Sequence, residues 1–219
     1  MACMHLVTME DVLRQVEKVV SACSFSKEPS VGSPVFPDVR PPEYKRILIV
    51  RTDRMGDMIL STPVFKAVRL AYPQAYISVL VRPYTRQVVE GNPYIDEVIV
   101  YDKREREKNL FRFFSFIKDI RRRKFDLALV LHPTNRDHLI VFFSGIPKRV
   151  GYERKCSFLL TDAMKFDKNS GLKHESEYAL DAVRFLGISP GVKEFHVPES
   201  VSADRWVDDL FKAQGINPR

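Results

Sequence analysis

The stretch KRILIVRTDRMGDMILSTP, residues 45–63, decides how the rest of this chain is read. Its segment from Arg46 to Arg51 carries four consecutive aliphatic side chains, the pattern of a short strand buried on both faces. A polar loop with a single glycine, Gly56, follows. A helical pattern then runs from Met58 to Ala71 and is interrupted at Pro63, so Thr62 is expected to cap a helix whose first residue is Pro63. Strand, loop and helix in this order form the opening of a βαβ unit, and ligands of such sheets bind beyond the carboxyl ends of the strands. The loop is neither a Gly-x-Gly-x-x-Gly dinucleotide fingerprint nor a Walker A loop. Gly56 allows a sharp turn or close approach by a substrate. Asp57 is thereby expected at a helix entrance facing the crevice, where spacing alone favours a helix cap. Asp53 has a similar role in the turn, with Arg51 or Arg54 as its ion-pair partner.

Outward from this stretch the alternation continues. Strands are expected at Tyr76–Val81, Glu97–Tyr101, Asp126–Leu131 and Arg149–Tyr152, and helices over Thr85–Glu90, Lys108–Arg123, Leu139–Phe143 and Glu175–Phe185. The fold class is therefore α/β, a doubly wound parallel sheet over residues 45–190. In the helix over Lys108–Arg123, Leu110, Phe113, Phe114, Ile117 and Ile120 share a face, and Phe113, Phe114 and Ile117 are expected to be buried against the sheet. A strand at Lys193–Val197 and a helix over Ala203–Lys212 make residues 191–219 the start of a second unit. Residues 1–44 read as an extension: a helix over Met9–Ala22, then a Ser- and Pro-rich stretch without period.

The composition narrows the partners. Among 219 residues, 35 Lys and Arg stand against 28 Asp and Glu, a formal net charge of +7 that favours anionic partners. Cys3, Cys23 and Cys156 are odd in number and far apart, so neither a disulfide framework nor a zinc site is indicated. A reducing cytosol fits this. The N-terminus has no Lys- or Arg-led apolar run with a cleavage site, and the apolar runs are strand-sized.

The segments KRILIVRTDRMGDMILSTPVFKAVRLAYPQA, VRPYTRQVVEGNPYIDEVIVYD, FDLALVLHPTNRD, SGIPKRVGYERKCSFLLTD and KHESEYALDAVRFLGI occur in this order between about Lys45 and Ile188. Together they resemble the heptosyltransferase family, glycosyltransferase family 9. The resemblance implies the N-terminal half of a GT-B transferase, with two Rossmann-like domains in the whole enzyme. It implies an inverting enzyme that transfers a sugar, heptose from ADP-heptose, to a lipopolysaccharide core or related phosphorylated glycolipid. The nucleotide sugar is a co-substrate held by a C-terminal domain that this chain lacks, so the chain alone is expected to be inactive; no cofactor or metal is implied. A cytoplasmic location, peripheral to the inner face of the membrane, follows from the same resemblance.

By that resemblance Asp57 is the general base that takes the proton of the acceptor hydroxyl. Arg82 and Arg86 follow the second strand, and His132, Asn135 and Arg136 follow the fourth. With Arg54 and Gly56 they are the expected acceptor-binding residues, since guanidinium groups match carboxylate and phosphate. Lys148, Arg149 and Arg154 add basic charge near the fifth strand. Two departures stand beside the resemblance: family members exceed 300 residues, and the 44-residue N-terminal extension is unusual. One alternative is a noncatalytic acceptor-binding module or one half of a split transferase. Another is a nucleic-acid-binding protein, suggested by the charge and the run Arg121 to Lys124. No aromatic-interleaved basic strand or helix-turn-helix supports it, and no nucleic acid partner is expected.

Overall fold

The computed structural model describes residues 43–102, 110–154, 156–165, 173–191, 193–198 and 201–216. The helix expected over Met9–Ala22 lies outside them.

Six strands form one sheet: β1 (Arg46–Val50), β2 (Tyr76–Val81), β3 (Glu97–Val100), β4 (Leu127–Val130), β5 (Lys148–Tyr152) and β6 (Asp162–Met164). Their order is β3-β2-β1-β4-β5-β6 and every pairing is parallel. The sequence reverses direction between β1 and β4, which opens a crevice at their carboxyl ends. The helices are α1 (Met55–Leu60), α2 (Thr62–Ala71), α3 (Arg86–Val89), α4 (Leu110–Arg122), α5 (Asn135–Phe143), α6 (Glu175–Phe185) and α7 (Val201–Ala213). The expected Rossmann-like, doubly wound parallel sheet is thus present.

Strand periodicity divides the core into two layers. Ile47, Ile49, Ile77, Val79, Leu127 and Leu129 point to one face, where α2 adds Val64, Phe65 and Val68 and α6 adds Ala179, Leu180, Ala182 and Val183. Leu48, Val50, Leu80, Ala128 and Val130 point to the other, covered by Phe116 and Ile120 of α4 and Ile140 and Val141 of α5. Gly151 lets β5 lie close to β4: a Cβ there would be crowded, 3.0 Å from the Val130 Cβ and 3.1 Å from its carbonyl oxygen.

Several expectations are corrected. Pro63 does sit in the first turn of α2, but the helix starts one residue earlier and its N-cap is Ser61. Thr62 caps nothing; its hydroxyl donates to the Ile59 carbonyl and accepts from the His196 amide. α5 begins at Asn135, four residues before the apolar pattern, because Thr134 caps it by accepting from the Asp137 amide at 3.1 Å. β6 was not anticipated. The expected strand over Lys193–Val197 is absent; residues 193–198 run as irregular chain, tied to the domain by Lys66–Glu194 at 2.5 Å and Lys193–Glu177 at 2.9 Å.

On α4 the buried stripe is rotated from the expected one. Phe116, Ile117 and Ile120 are buried and Phe113 is half-buried, but Phe114 is 55% exposed. Residues 113 and 114 differ by 100° around a helix, and only Phe113 turns toward the sheet.

Candidate functional site

The crevice at the carboxyl ends of β1 and β4 is organised by Arg51, whose side chain is 1% exposed. Its backbone amide still pairs with the Leu80 carbonyl, so the residue extends the ladder and its guanidinium turns under the crevice floor. One Nη donates to the Leu131 carbonyl at 2.9 Å and the other to Glu175 Oε1 at 2.9 Å. Nε lies 2.9 Å from Asp53 Oδ1 without the alignment of a hydrogen bond, and Nη2 lies 3.7 Å from Asp57 Oδ1. One cation therefore serves three carboxylates, brought from the loop after β1, from α1 and from the start of α6. Burying so much charge is tolerated only because each partner satisfies another. Burial raises the Asp53 pKa; the charges of Arg51 and His132 oppose the rise and Asp57 adds to it. Tyr84 clamps the same loop by donating to the Asp53 carbonyl at 2.6 Å.

Asp57 does not cap a helix. The N-cap of α1 is Arg54, and no side chain makes the capping bond there. Asp57 lies two residues into α1, in the turn where the helix dipole favours a carboxylate, and its side chain is one-third exposed. Gly56 makes no sharp turn: it lies inside α1 with an ordinary negative φ. A Cβ at Gly56 would meet nothing within 4 Å, so the space at its own α-carbon is open.

The facing wall comes from β4 and α5. Asp137, 1% exposed, accepts from the Thr52 hydroxyl at 2.8 Å and from the Thr134 hydroxyl at 2.6 Å. His132 Nδ1 lies 3.6 Å from Asp137 Oδ2 and 3.5 Å from Thr52 Oγ1, so the ring leans on this wall with a quarter of its side chain exposed. Beside it, Thr52, Arg82, Tyr101, Thr134, Arg136 and Asp137 line a cavity of about 70 Å³. Arg136 donates to the Tyr101 hydroxyl at 2.9 Å. Arg82 and Arg136, from different strand exits, thus meet on one cavity.

The other expected basic residues separate. Arg86 is exposed and pairs with Glu90 at 2.6 Å, one turn along α3, outside the cavity lining. Arg54 and Asn135 are exposed at the starts of α1 and α5. Lys148 and Arg149 do not join the crevice at all: they open β5 at the amino-terminal edge of the sheet. There Lys148 pairs with Asp162, and Arg149 donates to the Ile146 and Leu159 carbonyls. Sequence reasoning missed Glu175, Asp137 and Tyr101, and gave Arg51 only one of its partners. The available signal was the placement of Arg51-Thr52-Asp53 directly after an apolar strand and of Glu175 at a helix start. Among the described residues no group of three or more His, Cys, Asp or Glu side chains is arranged to hold a metal ion.

Comparison with known proteins gives a consistent direction. No protein-family model matches the chain. It is similar to a putative glycosyltransferase of Haemophilus influenzae, 27% identical over 141 residues that cover 64% of this chain and 40% of the relative. It is similar to lipopolysaccharide heptosyltransferase 2 of Escherichia coli K12, 27% identical over 126 residues, 57% of this chain and 36% of the relative. It is also 36% identical over 78 residues to lipopolysaccharide heptosyltransferase 3 of Escherichia coli, 35% of this chain and 23% of the relative. The chain thus spans less than half the length of the curated relatives it matches. Among solved structures, a glycosyl transferase family 9 protein from Veillonella parvula superposes with a TM-score of 0.72 at 24% identity, covering 80% of this chain and 51% of that one. Escherichia coli ADP-heptose lipopolysaccharide heptosyltransferase II superposes with a TM-score of 0.57 at 24% identity, covering 76% and 50%. These two likenesses establish the shared fold.

Proposed function

We propose that this chain forms the acceptor side of an inverting glycosyltransferase of the heptosyltransferase kind, with Asp57 as its general base. The observation that carries the reading is the Asp57 carboxylate itself. It stands at the carboxyl edge of the sheet in the first turn of α1, 3.7 Å from the Arg51 guanidinium and one-third exposed. A sugar hydroxyl is a poor nucleophile until its proton leaves, and a carboxylate ~3 Å away accepts that proton late in the transition state. The acceptor oxygen then bonds to the anomeric carbon as the bond from that carbon to the departing nucleotide diphosphate breaks, with inversion and no covalent intermediate.

In this reading Arg82 and Arg136 meet phosphate or carboxylate groups of a lipopolysaccharide-core or related glycolipid acceptor. Residues 45–190 are the acceptor domain, and residues 191–219 lead toward the donor side. The donor, a nucleotide sugar such as ADP-heptose, is held by a second domain outside these 219 residues. The relatives named heptosyltransferase support that choice of sugar.

The test is a turnover assay with ADP-heptose and a heptose-acceptor glycolipid, on the chain alone and on the chain joined to the C-terminal half of heptosyltransferase 2. The chain alone is expected to transfer nothing, and the joined protein to turn over. Asp57→Asn in the joined protein should lower turnover ~100-fold or more while donor binding persists. Turnover at the parent rate by Asp57→Asn would remove the base from Asp57.

A further inference from the structure

The cavity that Arg82 and Arg136 share has a third member whose role the transfer reading leaves open. Tyr101 follows the last residue of β3, and its amide continues the ladder by donating to the Val81 carbonyl at 2.8 Å. Its side chain is almost wholly buried, and its ring packs on Phe116 of α4 with the centroids 5.1 Å apart. Backbone and ring are both held, which fixes the hydroxyl at the cavity wall. That hydroxyl accepts from Arg136 Nη1 at 2.9 Å. The Arg136 guanidinium also lies over the Phe113 ring, 5.9 Å from its centroid.

The chemistry of this partner matters. Ordering a long side chain costs conformational entropy, so a ligand that had to order Arg136 itself would bind more weakly. A carboxylate could order the arginine, as Glu90 does for Arg86, but it would also cancel the charge. A tyrosine hydroxyl accepts the hydrogen bond and leaves the guanidinium cationic. Arg82 reaches the same cavity from the exit of β2, where its carbonyl accepts from the amide and the hydroxyl of the buried Thr85. Among the described residues no carboxylate pairs with Arg82. Asp137 lines the cavity too, but its oxygens accept from the Thr52 and Thr134 hydroxyls. The volume of about 70 Å³ is well below the roughly 300 Å³ of a site that encloses a whole small ligand, so the cavity admits a substituent and not a sugar ring.

We propose that Tyr101 is a positioning residue for Arg136: it holds the guanidinium so that Arg136 and Arg82 close on a single phosphate group of the acceptor, whose sugar ring stays outside the cavity. The proposal rests on the reading of these two arginines as acceptor contacts and is independent of the role of Asp57. Two guanidinium groups arriving from different strand exits suit a tetrahedral group, which offers oxygens in several directions.

The experiment is an NMR titration of the full 219-residue chain with inorganic phosphate, glucose 1-phosphate and glucose. The two phosphates should bind with similar affinity, and glucose should not bind. Arg136→Gln should weaken phosphate binding ~30-fold or more. Tyr101→Phe keeps the ring, loses the hydroxyl and should weaken it ~5–10-fold. Added to Arg136→Gln, Tyr101→Phe should change nothing further; added to Arg82→Gln, it should still weaken binding by its full factor. Arg205→Gln, which removes an exposed charge from α7, should bind phosphate as the parent does. Circular dichroism should show every variant folded. Parent-like binding by Tyr101→Phe, with Arg136→Gln weakened, overturns the proposal and leaves the acceptor reading standing. An equal effect of Tyr101→Phe with and without Arg136 overturns it as well, since the hydroxyl would then act on the ligand directly. So does loss of the native spectrum in Tyr101→Phe, which would make the hydroxyl structural. A parent chain that binds no phosphate overturns the proposal and the acceptor reading together.

Discussion

Positive charge behaves differently at two of the places described above. At the carboxyl edge of the sheet Arg51 is nearly inaccessible and shared by Asp53, Asp57 and Glu175. On the α4 flank Arg121, Arg122 and Lys124 stand in solvent around exposed rings. In the sequence the flank is the louder signal, a run of four basic residues. Yet the lone arginine after β1 does more for the fold, because low dielectric surroundings strengthen each of its interactions and water screens those of the flank. A buried charge organises the protein's own groups, whereas an exposed cluster is available to something outside it.

The sharpest way to break this contrast is to remove the buried cation. Arg51→Ala leaves three carboxylates without their shared partner and should cost ~3–5 kcal/mol, read as a lowered urea midpoint. Arg51→Lys keeps the charge but cannot reach Leu131, Glu175 and Asp53 together, so it should recover only part of that loss. An unchanged midpoint in Arg51→Ala would erase the distinction between the two regions.

A pair of truncations tests the flank. Phe116→Ala removes a ring that is 3% exposed and packs on Tyr101 at a centroid distance of 5.1 Å; it should cost roughly 3 kcal/mol. Phe114→Ala, two residues away, should cost about 0.5 kcal/mol or less because its ring is already wet. Equal losses would mean that Phe114 belongs to the core and that the flank is not a free surface.

The smallest effect concerns pH. Burial raises the Asp53 pKa above its ordinary 3.8, so the folded protein keeps that proton to a higher pH than the unfolded chain. The stability this contributes is complete below the unfolded value and is lost as pH rises through the folded one. Asp53→Asn does not titrate. Its melting temperature relative to the parent should therefore climb as pH is raised from about 4 toward neutrality. A constant difference would show that Arg51 neutralises Asp53 fully.

The site was only partly legible beforehand for a geometrical reason. The position of Asp57 at the crevice was legible because it lies in the first strand–loop–helix unit, but spacing alone favoured a helix cap and only the resemblance pointed to a base. Arg82 and Arg136 were visible as residues following strands, but so was Arg86, which Glu90 one turn away engages instead. Asp137 and Tyr101 gave no signal, since they reach the cavity only after β3 and β4 take their places on either side of the β2–β1 pair. Gly56 was read from its identity as allowing a sharp turn or close approach by a substrate; it makes no turn, and the space at its α-carbon is open.

What the sequence determined by itself is the succession of strands and helices and the parallel sheet they build. Runs such as Ile47–Val50 and Leu127–Val130 are apolar at every position, and only a strand covered on both faces buries them all. What the tertiary structure decided are the matters that depend on distance between remote segments. β6, three residues long with an aspartate in it, has no periodicity of its own and exists because β5 offers it a partner. Which ring of the Phe113–Phe114 pair is buried follows from the angle at which α4 lies on the sheet, and apolar character alone does not encode that angle. Arg51 became the centre of the site because folding brings Glu175, 124 residues away, within 2.9 Å of its guanidinium. Local propensity acts over a few residues and is written in the chain, whereas burial and charge pairing arise only when the whole sheet has closed around them.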